Sequence, residues 1–263
     1  MSSFDLLTQP WLPVRWANGT PPTEVGLREV LLRAHEIEEL ATDNPLETIA
    51  LNRLLAALVA AIFPGTIEPG EWFQLWTAGR FDMAAVDSYL ARFADRFDLL
   101  SATQPFMGHL QPDTIEVSPL ARLQHAASSG NNAVLFSHDL DSVPHSMTAA
   151  EAARAVVCAQ SAALGGGVAK PFNFCHGPLV GGAYFWLRGA VSAQATLFRA
   201  LLLNLAPDTE VWGNPANDAP TWEAVQPLAP EKRRVGGFRE LATFQSRRLK
   251  LEFDGTQVTG VRY

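Results

Sequence analysis

The chain has 263 residues, is 48% hydrophobic and carries a formal net charge of −7. That length and apolar content allow a sizeable core in one large domain or two small ones and exclude a disordered chain. The negative balance argues against a general nucleic-acid binder, whose affinity rests on neutralising phosphates with Lys and Arg. The charge is also unevenly spread. Residues 24–47 hold seven acidic and two basic side chains, a net of −5, whereas residues 231–263 hold eight basic and four acidic, a net of +4. An acidic and a basic partner-specific face would fit this pattern, the acidic one turned away from any polyanion. A solvated acidic helix and a solvated basic hairpin are the reading that charge alone favours.

In chain order, Val14 and Trp16, the Asn18-Gly19 turn and Thr23-Glu24-Val25 predict a small antiparallel hairpin. Leu27, Val30, Leu31 and Ala34 recur at helical spacing and predict an amphipathic helix, on which the Glu38-Glu39 pair would be solvated. Asn44 is a cap, Pro45 suits the first helical position, and Pro64-Gly65 is a stop, which predicts a core helix between them. Its ten-residue apolar run, Leu54 to Phe63, is too short for a membrane span. A further helix is expected over Met83–Leu100. Ser101–His145 reads as a long excursion of loops, of a length that is usually functional or disordered. Thr148 and Glu151 form a capping box ahead of an alanine-rich helix ending at Leu164. A strand through Tyr184–Leu187, a helix capped by Ser192, a linker over Ala206–Pro230 and a hairpin turning at Asp254-Gly255 complete the pattern. The fold class expected is α+β: mixed helices and short antiparallel strands in one large globular domain, residues 1–263, with a long functional loop region.

Gly165-Gly166-Gly167 follows the alanine-rich helix, and Lys170 stands three residues later. A phosphate loop requires the opposite order, glycines leading into a helix N-terminus where free N–H groups face the anion. One glycine suffices to end a helix in the left-handed conformation. Two more forfeit roughly 1–2 kcal/mol of chain entropy relative to alanines, unless the backbone must come close to a ligand. Helix terminator and contact surface both stand on these residues alone. Lys170 would suit an anionic target, or be a solvated lysine.

No HExxH, GxSxG or zinc-spaced Cys/His pair occurs. The densest cluster, His138-Asp139-Leu140-Asp141 with His145, plus Cys175-His176, is better read as exposed loop residues than as a metal site. No catalytic residue, metal or cofactor is expected. Cys158 and Cys175, seventeen apart, suggest no disulfide framework, and with no basic, apolar leader a cytoplasmic location is expected. The seven tryptophans, Trp11, Trp72 and Trp76 among them, are simplest as core or interface anchors.

Several stretches, in order, resemble the CasA family, the large subunits of the type I-E CRISPR surveillance complex Cascade. They are DLLTQPWLPVRWANG from Asp5, QPFMGHL from Gln104, VSPLARL from Val117, SSGNNAVLFSHD from Ser128, ALGGGVAK from Ala163, FWLRG from Phe185, LFRALLLNL from Leu197, PTWEAVQP from Pro220 and GFRELATFQSRRLKLEF from Gly237. Together they span almost the whole chain. The resemblance implies a non-enzymatic subunit that recognises a protospacer-adjacent motif in double-stranded DNA and promotes strand invasion by the guide RNA. It places Gly165, Gly166 and Gly167 at the DNA minor groove, and Lys170, close by in sequence, is a candidate DNA-binding residue on its charge alone. Phe136, Ser137 and His138 fall in the loop that seats the subunit on the RNA 5′ handle, although the family often has asparagine where His138 stands. The implied partners are guide RNA, target DNA, the other Cascade subunits and a recruited helicase-nuclease, with no membrane. The family's C-terminal helical bundle, a strand lysine and a glutamine wedge would lie past Tyr263. A scaffold subunit that docks on the RNA handle without reading DNA is the alternative.

The minor groove's chemistry agrees with a glycine reader. Its donor and acceptor pattern is degenerate, so a backbone without side chains reads related motifs rather than one sequence. Such tolerance suits a short tag beside a target that base pairing identifies.

Overall fold

The computed structural model describes residues 3–64, 69–110, 115–124, 145–162, 195–205, 217–224 and 236–262. Among them the α+β expectation holds: seven α-helices accompany two three-stranded antiparallel sheets.

The first sheet grows from the predicted hairpin. Strand β1 (Leu12–Trp16) alternates inward and outward residues, burying Leu12, Val14 and Trp16, and pairs with β2 (Thr23–Val25) through Leu12 opposite Val25. The opposite edge of β1 is taken by β3 (Ile37–Leu40), giving the order β2-β1-β3, with a register shift between Arg15 and Trp16. Helix α1 (Leu27–Leu32) links β2 to β3. Glu38 and Glu39 therefore sit on a strand, not on the amphipathic helix the apolar spacing suggested. Ile37 and Leu40 are buried three residues apart, so these four residues keep helical spacing and carry no alternation that would mark a strand.

Helix α2 (Pro45–Ile62) is the central element. Asn44 caps it by accepting from the Leu46 N–H at 3.0 Å, and Pro45 opens it as expected. It has the length and apolar content of a membrane span, yet most of it is buried inside the protein. Leu51, Leu54, Leu55, Leu58 and Val59 belong to the same core as Val156 and Val157 of α5 (Ala149–Ala162) and Phe198 and Leu201 of α6 (Leu197–Leu203).

Helix α4 (Met83–Arg92) is shorter than predicted. The chain tightens into a 3-10 turn at Ala94–Arg96 and then forms a bridge between Asp98 and Asp5. The cause lies in packing: the Leu6 N–H donates to the Phe97 carbonyl and the Leu99 N–H to the Phe4 carbonyl, capturing this segment as extended chain. The helix predicted to be capped by Ser192 is capped by Thr196, whose hydroxyl accepts from Arg199 N. Helix α3 (Pro69–Ala78) was visible only as the spacing of Trp72 and Trp76, whose rings stack 5.0 Å apart. Phe73, on the same helix, is 63% exposed.

The second sheet joins distant parts of the chain. Strands β5 (Lys250–Phe253) and β6 (Val258–Arg262) form the predicted hairpin, and β4 (Val117–Ser118), inside the expected loop excursion, adds to β6 in the order β4-β6-β5. Gly255 at the hairpin turn has φ +105°, the region that favours glycine. Leu120 and Leu123, just after β4, are buried, so VSPLARL is an anchored part of the fold. The expected linker is anchored midway too: Asp218, Thr221 and Trp222 are buried against α7 (Phe238–Thr243) and its neighbours.

Candidate nucleic-acid interface

Helix α5 ends at Ala162, three residues before Gly165 in sequence. Thr148 and Glu151 form the predicted capping box at its start: the Glu151 carboxylate accepts from Thr148 N at 2.8 Å, and the Thr148 hydroxyl accepts from Glu151 N at 3.2 Å. Ten of its fourteen residues are buried, from Ala152 to Ala162. Such a helix is a rigid base for whatever follows it. Gly165, Gly166, Gly167 and Lys170 lie outside the described residues, as do Phe136, Ser137 and His138, the cluster from His138 to Asp141, and the strand expected over 184–187.

The last turn of α5 meets two of the resembling stretches, QPFMGHL and SRRLK. Met107 adopts φ +50°, an uncommon conformation for a side chain with a Cβ, and its carbonyl accepts from the Gln160 amide at 2.7 Å. His109 donates its backbone N–H to the Leu249 carbonyl at 2.8 Å. Burial, assisted by the charge of Arg248, pulls the His109 imidazole down from 6.5 to about 4, against the opposing hydrogen bond with Gln245. Neutral His109 is thus favoured by folding. The stability this confers is complete above pH 6.5, where both states are neutral, and is lost as the pH falls toward 4, because the unfolded chain takes up the proton first. The loss between pH 7.5 and 5 is expected to be about 2 kcal/mol. Urea unfolding at those two pH values checks it, with His109→Gln removing that share of the pH dependence.

The charge pattern is reorganised by folding. In the basic C-terminal stretch, Arg247 is 4% exposed, Arg239 pairs with buried Asp218, and Arg262 pairs with Glu252 at 2.5 Å. Three of the eight cations are thus committed inside the fold, so a fully solvated basic hairpin does not form. The acidic stretch is likewise answered by arginines. Arg33 bonds Glu29 and Glu36, Arg15 bonds Glu39, and Arg154 reaches Glu24 at 2.6 Å and Glu47 at 3.3 Å. Around Arg154 lies a groove of about 650 Å³ lined by Glu24, Asp43, Glu47 and Glu151 among others. Burial raises the Glu47 carboxyl, Arg154 opposes that shift, and Asp43 and Glu151 add to it. Four carboxylates against one guanidinium repel a polyanion, so this groove is not the nucleic-acid face.

Residues 5–263 match the family described as CRISPR-associated protein Cse1. The chain belongs to the Cse1 family. It is 34% identical over 276 aligned positions to the CRISPR-associated protein CasA/Cse1 of Thermus thermophilus, covering 99% of this chain and 51% of that protein. Crystalline Thermobifida fusca Cse1 shares the fold at a TM-score of 0.78 and 32% identity, with 99% of this chain and 51% of that one covered. A chain of a CRISPR RNA-guided surveillance complex matches at a TM-score of 0.78 and 27% identity, over 99% of this chain and 56% of that one. The chain spans about half the length of these Cse1 relatives. The CasA resemblance carried by the ordered motifs is thereby confirmed at the level of family and fold.

Proposed function

We propose that the chain acts as the N-terminal domain of the large subunit of an RNA-guided CRISPR surveillance complex, reading the protospacer-adjacent motif of duplex DNA through Gly165, Gly166 and Gly167. The observation that carries this reading is the match of 99% of this chain, at a TM-score of 0.78, to about half of a chain from a CRISPR RNA-guided surveillance complex. The buried helix α5 supports it physically. A glycine segment reads a groove only if its root is fixed, and α5 is held on the core along most of its length.

In this reading the subunit makes no covalent change. It sits on the RNA 5′ handle through Phe136, Ser137 and His138, inserts the glycine backbone into the minor groove, with Lys170 toward phosphate, and favours local strand invasion. Cleavage falls to a recruited helicase-nuclease. The setting is the cytoplasm, with guide RNA, target DNA and the other subunits as partners.

The test is Gly166→Trp in the reconstituted complex. Incorporation and binding to a complementary single strand should be unchanged, while preference for duplexes carrying the correct flanking motif should be lost. Equal preference by the variant and the wild type across a library of flanking sequences would leave the scaffold role, docking without DNA reading, as the function.

A further inference from the structure

Gln160 stands in the last described turn of α5, five residues before Gly165, and is 1% exposed. Its carboxamide is fully engaged. Nε2 donates to the Met107 carbonyl at 2.7 Å and to the Arg247 carbonyl at 2.8 Å, while Oε1 accepts from the Arg247 N–H at 2.8 Å. Its backbone carbonyl also accepts from the Ser246 hydroxyl at 2.7 Å. The side chain therefore pairs with Arg247 as another peptide group would, donating to and accepting from one residue, and spends its second N–H on the strained turn at Met107. A buried amide of this kind is costly unless every partner is in place, so it admits one arrangement of the three segments.

We infer that Gln160 is a positioning residue for motif reading: it fixes the end of α5, the helix that precedes the glycine segment in sequence, against the 105–109 turn and the chain entering β5. The inference rests on the glycine reading proposed above. Leucine or methionine would fill the same space but leave the Met107 carbonyl and the Arg247 N–H and carbonyl without this partner, so the amide holds three segments in register as well as filling the core. A groove reader needs that register. Its backbone must arrive within a fraction of an ångström, and a helix end held only by apolar contacts can slide or rotate.

The experiment uses the reconstituted complex with four forms of the chain: wild type, Gln160→Leu, Ser246→Ala and Gly166→Trp. Each is scored for incorporation, for binding of a complementary single strand, and for the ratio of affinities toward duplexes with the correct and a scrambled flanking motif. Gln160→Leu should incorporate and bind the single strand as wild type does, yet lose about tenfold of the motif ratio, within the range of one good groove contact. Ser246→Ala, which removes only the bond to the Gln160 backbone carbonyl, should fall between. Loss of the ratio by Gly166→Trp alone would overturn the role of Gln160 and leave the glycine reading standing. An unchanged ratio in Gly166→Trp would instead remove the glycine reading, and the inference with it. If Gln160→Leu fails to incorporate, Ser246→Ala decides: a wild-type ratio there makes Gln160 purely structural.

Discussion

Phe97→Ala is expected to destabilise the protein by about 3–5 kcal/mol, the range for emptying a fully buried aromatic site. Phe97 is completely buried, with its ring centroid 5.4 Å from that of Phe106 and 5.4 Å from that of Trp222. It thus joins the turn after α4, the QPFMGHL turn and the PTWEAVQP segment. Its carbonyl holds the N-terminus as well, through Leu6 N at 2.9 Å. The neighbours have little freedom to collapse into the vacancy, because Trp222 is tied by its indole N–H to the Tyr89 hydroxyl at 2.8 Å, and that hydroxyl donates to Glu223 at 2.5 Å. Thermal unfolding followed by tryptophan fluorescence should show a fall in Tm of roughly 10 °C or more. Phe97→Leu should lose much less. A loss under about 1 kcal/mol for Phe97→Ala, at the low end for any substitution, would show that the three segments do not share this anchor.

Asp218→Ala should cost about 3–5 kcal/mol, for an electrostatic reason. Helix α7 has Gly237 at its N-cap and so no side-chain cap of its own. Asp218, twenty-one residues upstream of Arg239, supplies it: the carboxylate accepts from Arg239 N at 3.1 Å and Glu240 N at 2.8 Å, and also from Arg239 Nε at 3.1 Å. Space for this approach is made at Gly237, where an added Cβ would lie 2.6 Å from the Asp218 side chain. Alanine at 218 takes this acceptor away from two helical N–H groups and a largely buried guanidinium. Urea unfolding should register the loss, and adding Arg239→Met should recover part of it, because the charge that lost its carboxylate is then gone. Simple additivity of the two substitutions would rule out the coupling.

Elements with local signals were legible in the sequence. Asn44 with Pro45 marked α2, Thr148 with Glu151 marked α5, and the Asp254-Gly255 turn marked the β5–β6 hairpin. Elements created by distant pairing were not. Strand β4 exists because Val117 and Ser118 find Arg262 and Val261, and the chain after α4 leaves helical form because Phe4 and Leu6 claim it. Helix α7 lacked a visible start because its cap comes from Asp218. At the candidate site, the glycines after a helix could be read as a terminator or a contact surface, and only family resemblance favoured contact. Gln160 was missed because a lone glutamine in an alanine-rich helix has no sequence signature; its partners, Met107 and Arg247, lie 53 and 87 residues away.

The pairing of α5 with the SRRLK segment also sets a schedule for synthesis. At about 5–20 residues per second, the 87 residues between Gln160 and Arg247 take roughly 4–17 s to appear. Until then the face of α5 that Arg247 and Ser246 will cover is without those partners, and so is the strand pairing of Ser118 with Val261. Folding dominated by such distant contacts is slow and exposes apolar surface on the way. Yield should therefore respond to translation speed between residues 160 and 262 more than to speed before α5.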